Sequence, residues 1–385
     1  MSLKKKIQGA LRVKKIFYAP KKGQGPDKIL QYTLAVVLVF GLISLSSASS
    51  VVSYDKFDGD AYRYFKRQLF GLAVGLIAYF ILSKIDYHIW RKYALGFLVF
   101  SIFLLILVFI PGLSTHYGKA RSWINIFGFS LQPSEFVKLS FLLYLAAWLE
   151  TKKRDLSDIH EGIGPFVIVL GIIGGLMLMQ PDIGTLSIIS LISLIVYFVG
   201  GGKKTHIAGI ILIGMAFFVL MLQFKPYQMD RLRCYADPSF SPDDICYQIN
   251  QSLIAVGSGG IFGRGLGESR QKYMYLPEVS GDSIFAIIAE EMGLVVSTLL
   301  IILFLTIFYR GYRISLAAPD DFGKILAIGI SSWISIQAFI NIGGIINLMP
   351  MTGVPLPLIS YGGSAILSSL AAFGVLVNIS SQGKK

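Results

Sequence analysis

Charge is what this sequence has least of. Asp, Glu, Lys and Arg together make 15% of its 385 residues, where soluble chains carry about a quarter. That shortage excludes a disordered protein and a coiled coil. Cysteine is nearly missing too. Two residues, Cys234 and Cys246, are too few for a disulfide-rich scaffold, and no C-x-x-C spacing points to a metal. P-loop and dinucleotide fingerprints and internal repeats are absent. What is plentiful is apolar, at 54% of the chain, and the fold class this predicts is an all-α polytopic membrane protein. The net charge of +13 would suggest a nucleic-acid partner only if a soluble segment offered a basic face, and none does. The excess instead sets membrane orientation or meets anionic lipid.

A helix needs roughly 20 apolar residues to cross about 30 Å of hydrocarbon. Ten stretches serve: 30–50, 67–83, 93–110, 134–149, 163–179, 183–199, 206–223, 283–309, 323–346 and 360–380. Gln180-Pro181-Asp182 separates the fifth from the sixth as a tight turn. With the N-terminus inside, inside segments hold 21 Lys and Arg and outside segments 11, a density about threefold higher inside. Both termini are therefore expected in the cytoplasm. The organisation is a basic tail at 1–28, a ten-span domain at 29–380 and a tail at 381–385, with a large extracytoplasmic loop at 224–282 between spans seven and eight. Ser46-Ser47-Ala48 loosely imitates a signal cleavage site, but the 28-residue leader is long for a signal, so an uncleaved first span is expected. Cys234 and Cys246 share the 224–282 loop, as a short disulfide or as two thiols.

Ionisable residues at membrane depth carry the most information, because each is costly unless paired or hydrated. Glu135 and Lys138, three apart on one helical face, form either a structural ion pair or a polar cavity whose lysine meets an anionic ligand. Asp282 stands where the eighth span begins, as a helix cap or as a general base at the lipid–water boundary. Glu290 and Glu291 further along that span must find Lys, Arg or water. The 224–282 loop interleaves Arg231, Arg233, Arg264, Arg270 and Lys272 with tyrosines, and it holds a glycine cluster at 257–267. Those glycines are either a phosphate cradle or a turn-rich loop. Pro350, Pro355 and Pro357 break the backbone at membrane level, where it must be buried or line a cavity.

Several runs make the chain recognisable. Gln132-Pro133-Ser134-Glu135-Phe136-Val137-Lys138, Gln180-Pro181-Asp182-Ile183-Gly184-Thr185, the stretch 251–260 and Pro355-Leu356-Pro357-Leu358-Ile359-Ser360-Tyr361-Gly362-Gly363-Ser364 resemble, in order, the motifs of the SEDS family (shape, elongation, division, sporulation). The stretch 265–272 followed by Leu276-Pro277-Glu278 resembles the division branch, FtsW, more than the elongation branch, RodA. The resemblance implies a peptidoglycan glycosyltransferase that polymerises lipid II into a nascent glycan strand outside the cytoplasmic membrane. It implies partnership with a class B penicillin-binding transpeptidase and other divisome proteins. Asp282 occupies the position of the family's essential aspartate, although Ser280-Gly281 stands where His-Thr is usual. As the base, Asp282 would take the acceptor hydroxyl's proton. The departing diphosphate needs cations, for which Arg121, Lys138, Arg270 and Lys272, or a divalent ion such as Mg²⁺ or Mn²⁺, are candidates. Glu135, Glu278 and Ser360 complete the candidate substrate-binding set. A lipid II flippase and a catalytically silent scaffold are the competing readings.

Overall fold

The computed structural model describes residues 25–112, 114–117, 120–126, 129–152, 163–224 and 226–383. Most of the basic tail expected at 1–28, and Lys384 and Lys385, lie outside these. All ten apolar stretches are helical: α1 Lys28–Lys56, α2 Arg63–Lys84, α3 His88–Leu107, α4 Pro133–Lys152, α5 Gly164–Met179, α6 Ile183–Val199, α7 Lys204–Phe224, α10 Ile284–Ala317, α11 Asp321–Ile345 and α12 Gly363–Gln382. Among them α1, α2, α3, α7, α10, α11 and α12 are long and apolar enough to cross a membrane. Helices α5 and α6 are shorter, at 16 and 17 residues. The chain is a multi-pass membrane protein.

Two features depart from the all-helical expectation of spans and loops. Between α3 and α4 a small antiparallel sheet, β1 Ser114–Tyr117, β2 Ala120–Ile126 and β3 Phe129–Leu131, runs in sequence order with Ile124 opposite Leu131. Period-two burial of Ser122 and Ile124 in β2 is the strand signature in a segment too short and polar to span. The 224–282 loop is also built: it carries α8 Pro226–Ala236 and α9 Tyr247–Gly259. A Cys234–Cys246 disulfide, with Cα atoms 5.3 Å apart, ties the end of α8 to the start of α9.

Helix α11 lies at the centre, buried along nearly all its length. Without a hydrophobic drive inside lipid, helices pair where small residues let backbones approach. Helices α2 and α12 do so: a Cβ added at Gly75 would stand 2.7 Å from Leu370, and one at Gly374 the same distance from the Tyr79 carbonyl. At one face of the bundle Asp27 caps α1 by accepting from the Leu30 N–H, and it also pairs with Arg310 of α10. On that face Tyr87 and His88 bond Asp320, the N-cap of α11.

Helix α10 is broken. Gly293 has φ +73°, and the 260–265 loop fills the gap. The freed carbonyls of Glu290 and Glu291 accept from the Arg264 and Gly265 N–H groups, while the Leu294 and Val295 N–H groups donate to Gly260 and Ile261. Broken backbone at this depth is thus satisfied by protein. Two glycines of the cluster are there for close packing: a Cβ at Gly259 would lie 2.0 Å from the Ala289 carbonyl and one at Gly263 2.2 Å from that of Glu291, while in α10 itself one at Gly293 would lie 2.3 Å from the Gly263 nitrogen. Gly293→Ala therefore combines left-handed strain with overpacking. It is expected to cost about 2–5 kcal/mol, read as a lowered thermal midpoint of the detergent-solubilised protein.

Candidate active site

The turn before α10 sets up the site. Gly281 and Ser283 N–H groups both donate to the Glu278 carbonyl, at 2.9 and 3.2 Å, and Glu278 itself sits at φ +52°. Ser283, not Asp282, occupies the N-cap position, and no side chain caps the helix. The carboxylate of Asp282 is therefore free for another task. Its Oδ1 accepts from Gln248 Nε2 of α9 at 3.2 Å. Its Oδ2 accepts no hydrogen bond among the described residues and faces Gly353. A Cβ at Gly353, whose φ is +74°, would stand 3.6 Å from Oδ2 and 3.4 Å from Arg231 Nη2. Arg231 and Asp282 thus converge on a bare backbone. Burial, reinforced by the negative charge of Glu278 and opposed by Arg231 and Gln248, pushes the Asp282 carboxyl up to about 6.

The disulfide places both partners of Asp282. Arg231 is on α8 three residues before Cys234, and Gln248 is on α9 two residues after Cys246. Tyr227 braces Arg231, accepting from Nη2 at 2.8 Å with its ring 4.7 Å beneath the guanidinium.

The proline segment at 350–357 closes against the turn. Ser360 Oγ donates to the Gly281 carbonyl at 2.7 Å and accepts from the Leu356 N–H at 2.8 Å. The Tyr361 N–H donates to the Ser280 carbonyl at 2.8 Å. From α11, Asn341 Nδ2 donates to the carbonyls of Asp282 and Val354, at 2.7 and 2.8 Å. Gln68 of α2 donates to the Ser360 carbonyl and accepts from the Gly362 N–H.

One helical turn from Asn341, Gln337 connects the second charged centre. Lys138 Nζ donates to Glu135 at 2.7 Å and to Gln337 Oε1 at 2.8 Å, and lies 4.9 Å over the Trp333 ring. Gln337 in turn donates to the Pro355 carbonyl at 2.9 Å. Ser368 donates to the other Glu135 oxygen. Both charged side chains are buried, so the structural ion pair is realised, and it is tied through α11 to the segment that flanks Asp282.

A third cluster surrounds the break in α10. Lys272 Nζ donates to Glu291 at 3.0 Å, to Ser47 Oγ and to the Gly267 carbonyl. Glu290 accepts from Ser269 Oγ and from the Arg270 and Gln271 N–H groups. The two glutamates thus find the lysine and backbone donors that membrane burial demands. A groove of about 680 Å³ between α1 and α2 opens beside this cluster, lined by Leu42, Ile43, Ser47, Phe65, Gly267 and Lys272 among others.

Of the candidates named from sequence, the structure brings Asp282, Glu278 and Ser360 together. Glu135 and Lys138 are joined to them through α11. Lys272 is buried in the separate cluster, and Arg270 is exposed at its edge. Neither lysine ammonium is open to a ligand. Arg121 belongs to β2, and its side chain lies outside the described residues. Sequence reasoning missed Gln248, Asn341, Gln337 and Gln68, and it saw Arg231 only as one of five loop cations. For Asn341, Gln337 and Gln68 the available signal was an amide inside an apolar span, which must find partners there; Gln248, in the loop, carried no such signal. Among the described residues no three His, Cys, Asp or Glu gather as a metal set. Glu278 and Asp282 are two carboxylates of the kind Mg²⁺ uses together with substrate phosphates.

Comparison with known proteins agrees with this architecture. The model of the FtsW, RodA and SpoVE family, described as cell cycle proteins, matches residues 27–385. Stage V sporulation protein E of Bacillus subtilis is 42% identical over 93% of this chain and 98% of its own. A probable peptidoglycan glycosyltransferase FtsW of Trichlorobacter lovleyi is 38% identical over 92% and 94%. A chain of a peptidoglycan synthase complex, described as coordinating polymerization and crosslinking, superposes with a TM-score of 0.75 at 26% identity over 92% of this chain and 97% of its own. Thermus thermophilus RodA superposes at 0.68 with 25% identity over 95% and 100%.

The buried Lys138 pair generates a stability test. Glu135→Gln leaves an uncompensated buried charge and is expected to cost about 3–5 kcal/mol, whereas Glu135→Gln with Lys138→Met recovers most of it. Thermal unfolding of the two variants in detergent measures the difference.

Proposed function

The chain belongs to the FtsW, RodA and SpoVE family of cell cycle proteins, and from that premise we propose that it is a peptidoglycan glycosyltransferase polymerising lipid II at the outer face of the cytoplasmic membrane. The observation that carries this reading is Asp282. Its Oδ2 accepts no hydrogen bond among the described residues, its acidity is tuned near neutrality, and it faces Arg231 across Gly353 in a turn stitched on three sides. Asp282 Oδ2 accepts the proton of the acceptor sugar's 4-hydroxyl as that oxygen forms the new bond to the donor's anomeric carbon. The bond from that carbon to the diphosphate oxygen breaks, and the diphosphate leaves with the electron pair. A single displacement inverts the α-linked donor to a β-linked product. Arg231, across Gly353 from Asp282, supplies positive charge to the leaving group. A Mg²⁺ or Mn²⁺ ion held by Glu278 and the diphosphate oxygens would add charge neutralisation there. Glu135 and Lys138 act from below by fixing α4 to α11.

Identities of 42% and 38% to the sporulation and FtsW proteins, against 25% to RodA, favour septal or sporulation synthesis over elongation. The likeness to a synthase complex supports a class B penicillin-binding transpeptidase as partner, with other divisome proteins around it. The groove beside α1 and α2, with Val39, Leu42, Ile43, Phe65 and Leu266 on its walls and serines and Lys272 at its edge, suits the isoprenoid tail of the substrate near its polar end. A flippase has less support, since Glu135, Lys138, Lys272, Glu290 and Glu291 are locked in closed pairs instead of forming a path.

With purified protein, partner transpeptidase and lipid II, Asp282→Asn is expected to lower polymer formation at least about 100-fold. Full polymer from that variant refutes the role of Asp282. Because the base must be ionised, the rate is expected to fall as pH drops through about 6.

A further inference from the structure

A second built pocket, of about 450 Å³, lies at the opposite end of α10 from Asp282. It is walled by the start of α1 and the ends of α10 and α12, and its lining includes Lys28, Arg310, Arg313, Ile314, Ser380 and Gly383. Asp282 precedes the start of α10 and Arg310 stands near its far end, beyond the break at Gly293; the helix from that break to Arg310 alone rises about 25 Å, most of the hydrocarbon thickness. Among the described residues three cations, Lys28, Arg310 and Arg313, line it with a single carboxylate, Asp27. Asp27 is taken by Arg310, to which it is doubly bonded, and its own N–H donates to Ser380 Oγ at 3.1 Å. That arrangement fixes one wall and leaves Lys28 and Arg313 exposed. The guanidinium of Arg313 donates only to Tyr309 Oη, at 3.3 Å, among the described residues. Exposed Ile29, Tyr312 and Leu316 stand on the same helix ends and face outward. The mouth is therefore flanked by apolar surface of the kind that lies against acyl chains.

We propose that this pocket binds the phosphate headgroup of an anionic phospholipid from the leaflet opposite Asp282, with Lys28 and Arg313 as the phosphate ligands and Arg310 as the fixed wall. A basic pocket between helix ends at the headgroup level is the arrangement that selects such lipids. The apolar flank is the reason to assign a lipid and not a free anion. The inference goes beyond polymerisation, and its readout involves no polymer, so the two stand or fall separately.

The test uses the full-length protein in neutral detergent, titrated with short-chain phosphatidylglycerol, phosphatidylcholine and inorganic phosphate and followed by native mass spectrometry and thermal midpoint. Phosphatidylglycerol is expected to bind and raise the midpoint, while phosphatidylcholine and phosphate do neither at the same concentration. Lys28→Gln and Arg313→Gln are each expected to weaken phosphatidylglycerol binding about fivefold. Both side chains are exposed, so the lipid-free midpoint stays unchanged. Equal binding by the double variant and the unaltered protein overturns the site. Equal binding of phosphatidylcholine removes the charge selectivity, and displacement by inorganic phosphate reduces the pocket to a free-anion site; either result also overturns the proposal.

Discussion

The two hydrogens of one amide hold the reactive turn in place. Asn341, buried on the most enclosed helix of the bundle, gives one to the carbonyl of Asp282 and the other to that of Val354. The bond to Val354 is buried and that to Asp282 partly so, and a buried amide bond counts for more than the roughly 1 kcal/mol of an average solvated one. One turn away on the same face, Gln337 repeats the device, binding Pro355 and Lys138 together. Helix α11 thereby acts as a ruler. It sets the distance between the carboxylate turn, the proline segment and the charged pair on α4, three parts far apart in sequence of which only the pair belongs to a helix.

Strain and charge are concentrated where that ruler applies. Glu278 and Leu358 are both in left-handed backbone, and Gly353 between Asp282 and Arg231 is as well. Such conformations persist only where surrounding bonds over-determine them, and Ser360, Tyr361 and Asn341 supply those bonds. The result is preorganisation. A carboxylate with a like charge beside it, an opposite charge across a gap and one free oxygen is poised before substrate arrives. The Ser280-Gly281 pair contributes: the Glu278 carboxylate lies 3.3 Å from where a Gly281 Cβ would be. A residue with a side chain there would press on the charge that raises Asp282.

The ten helices were legible from the sequence because lipid leaves few options. An apolar run of sufficient length must satisfy its own backbone, and the helix does so locally. Glu135 with Lys138, and Lys272 with Glu291, were legible in part for the same reason, since buried charge demands a partner. The β-sheet was not, because eighteen residues of loop with short alternation give a weak signal beside spans. Nor was the break at Gly293, inside what reads as one continuous apolar run; it exists because the 260–265 loop inserts there, a contact across thirty residues of chain. Arg231 and Gln248 come to Asp282 from the loop: α9 packs on α10, and the disulfide ties the end of α8 to the start of α9. Pairing, rather than composition, decides that, and the spacing of Cys234 and Cys246 left it open.

The central claim is that Asn341 serves the reaction by holding Asp282. A double-mutant cycle on lipid II polymerisation, with Asn341→Ala, Asp282→Asn and both together, tests it most directly. The account predicts that Asn341→Ala alone slows polymerisation at least about tenfold, and that adding it to Asp282→Asn slows it no further. An unimpaired Asn341→Ala enzyme, or losses that multiply in the double variant, would contradict it.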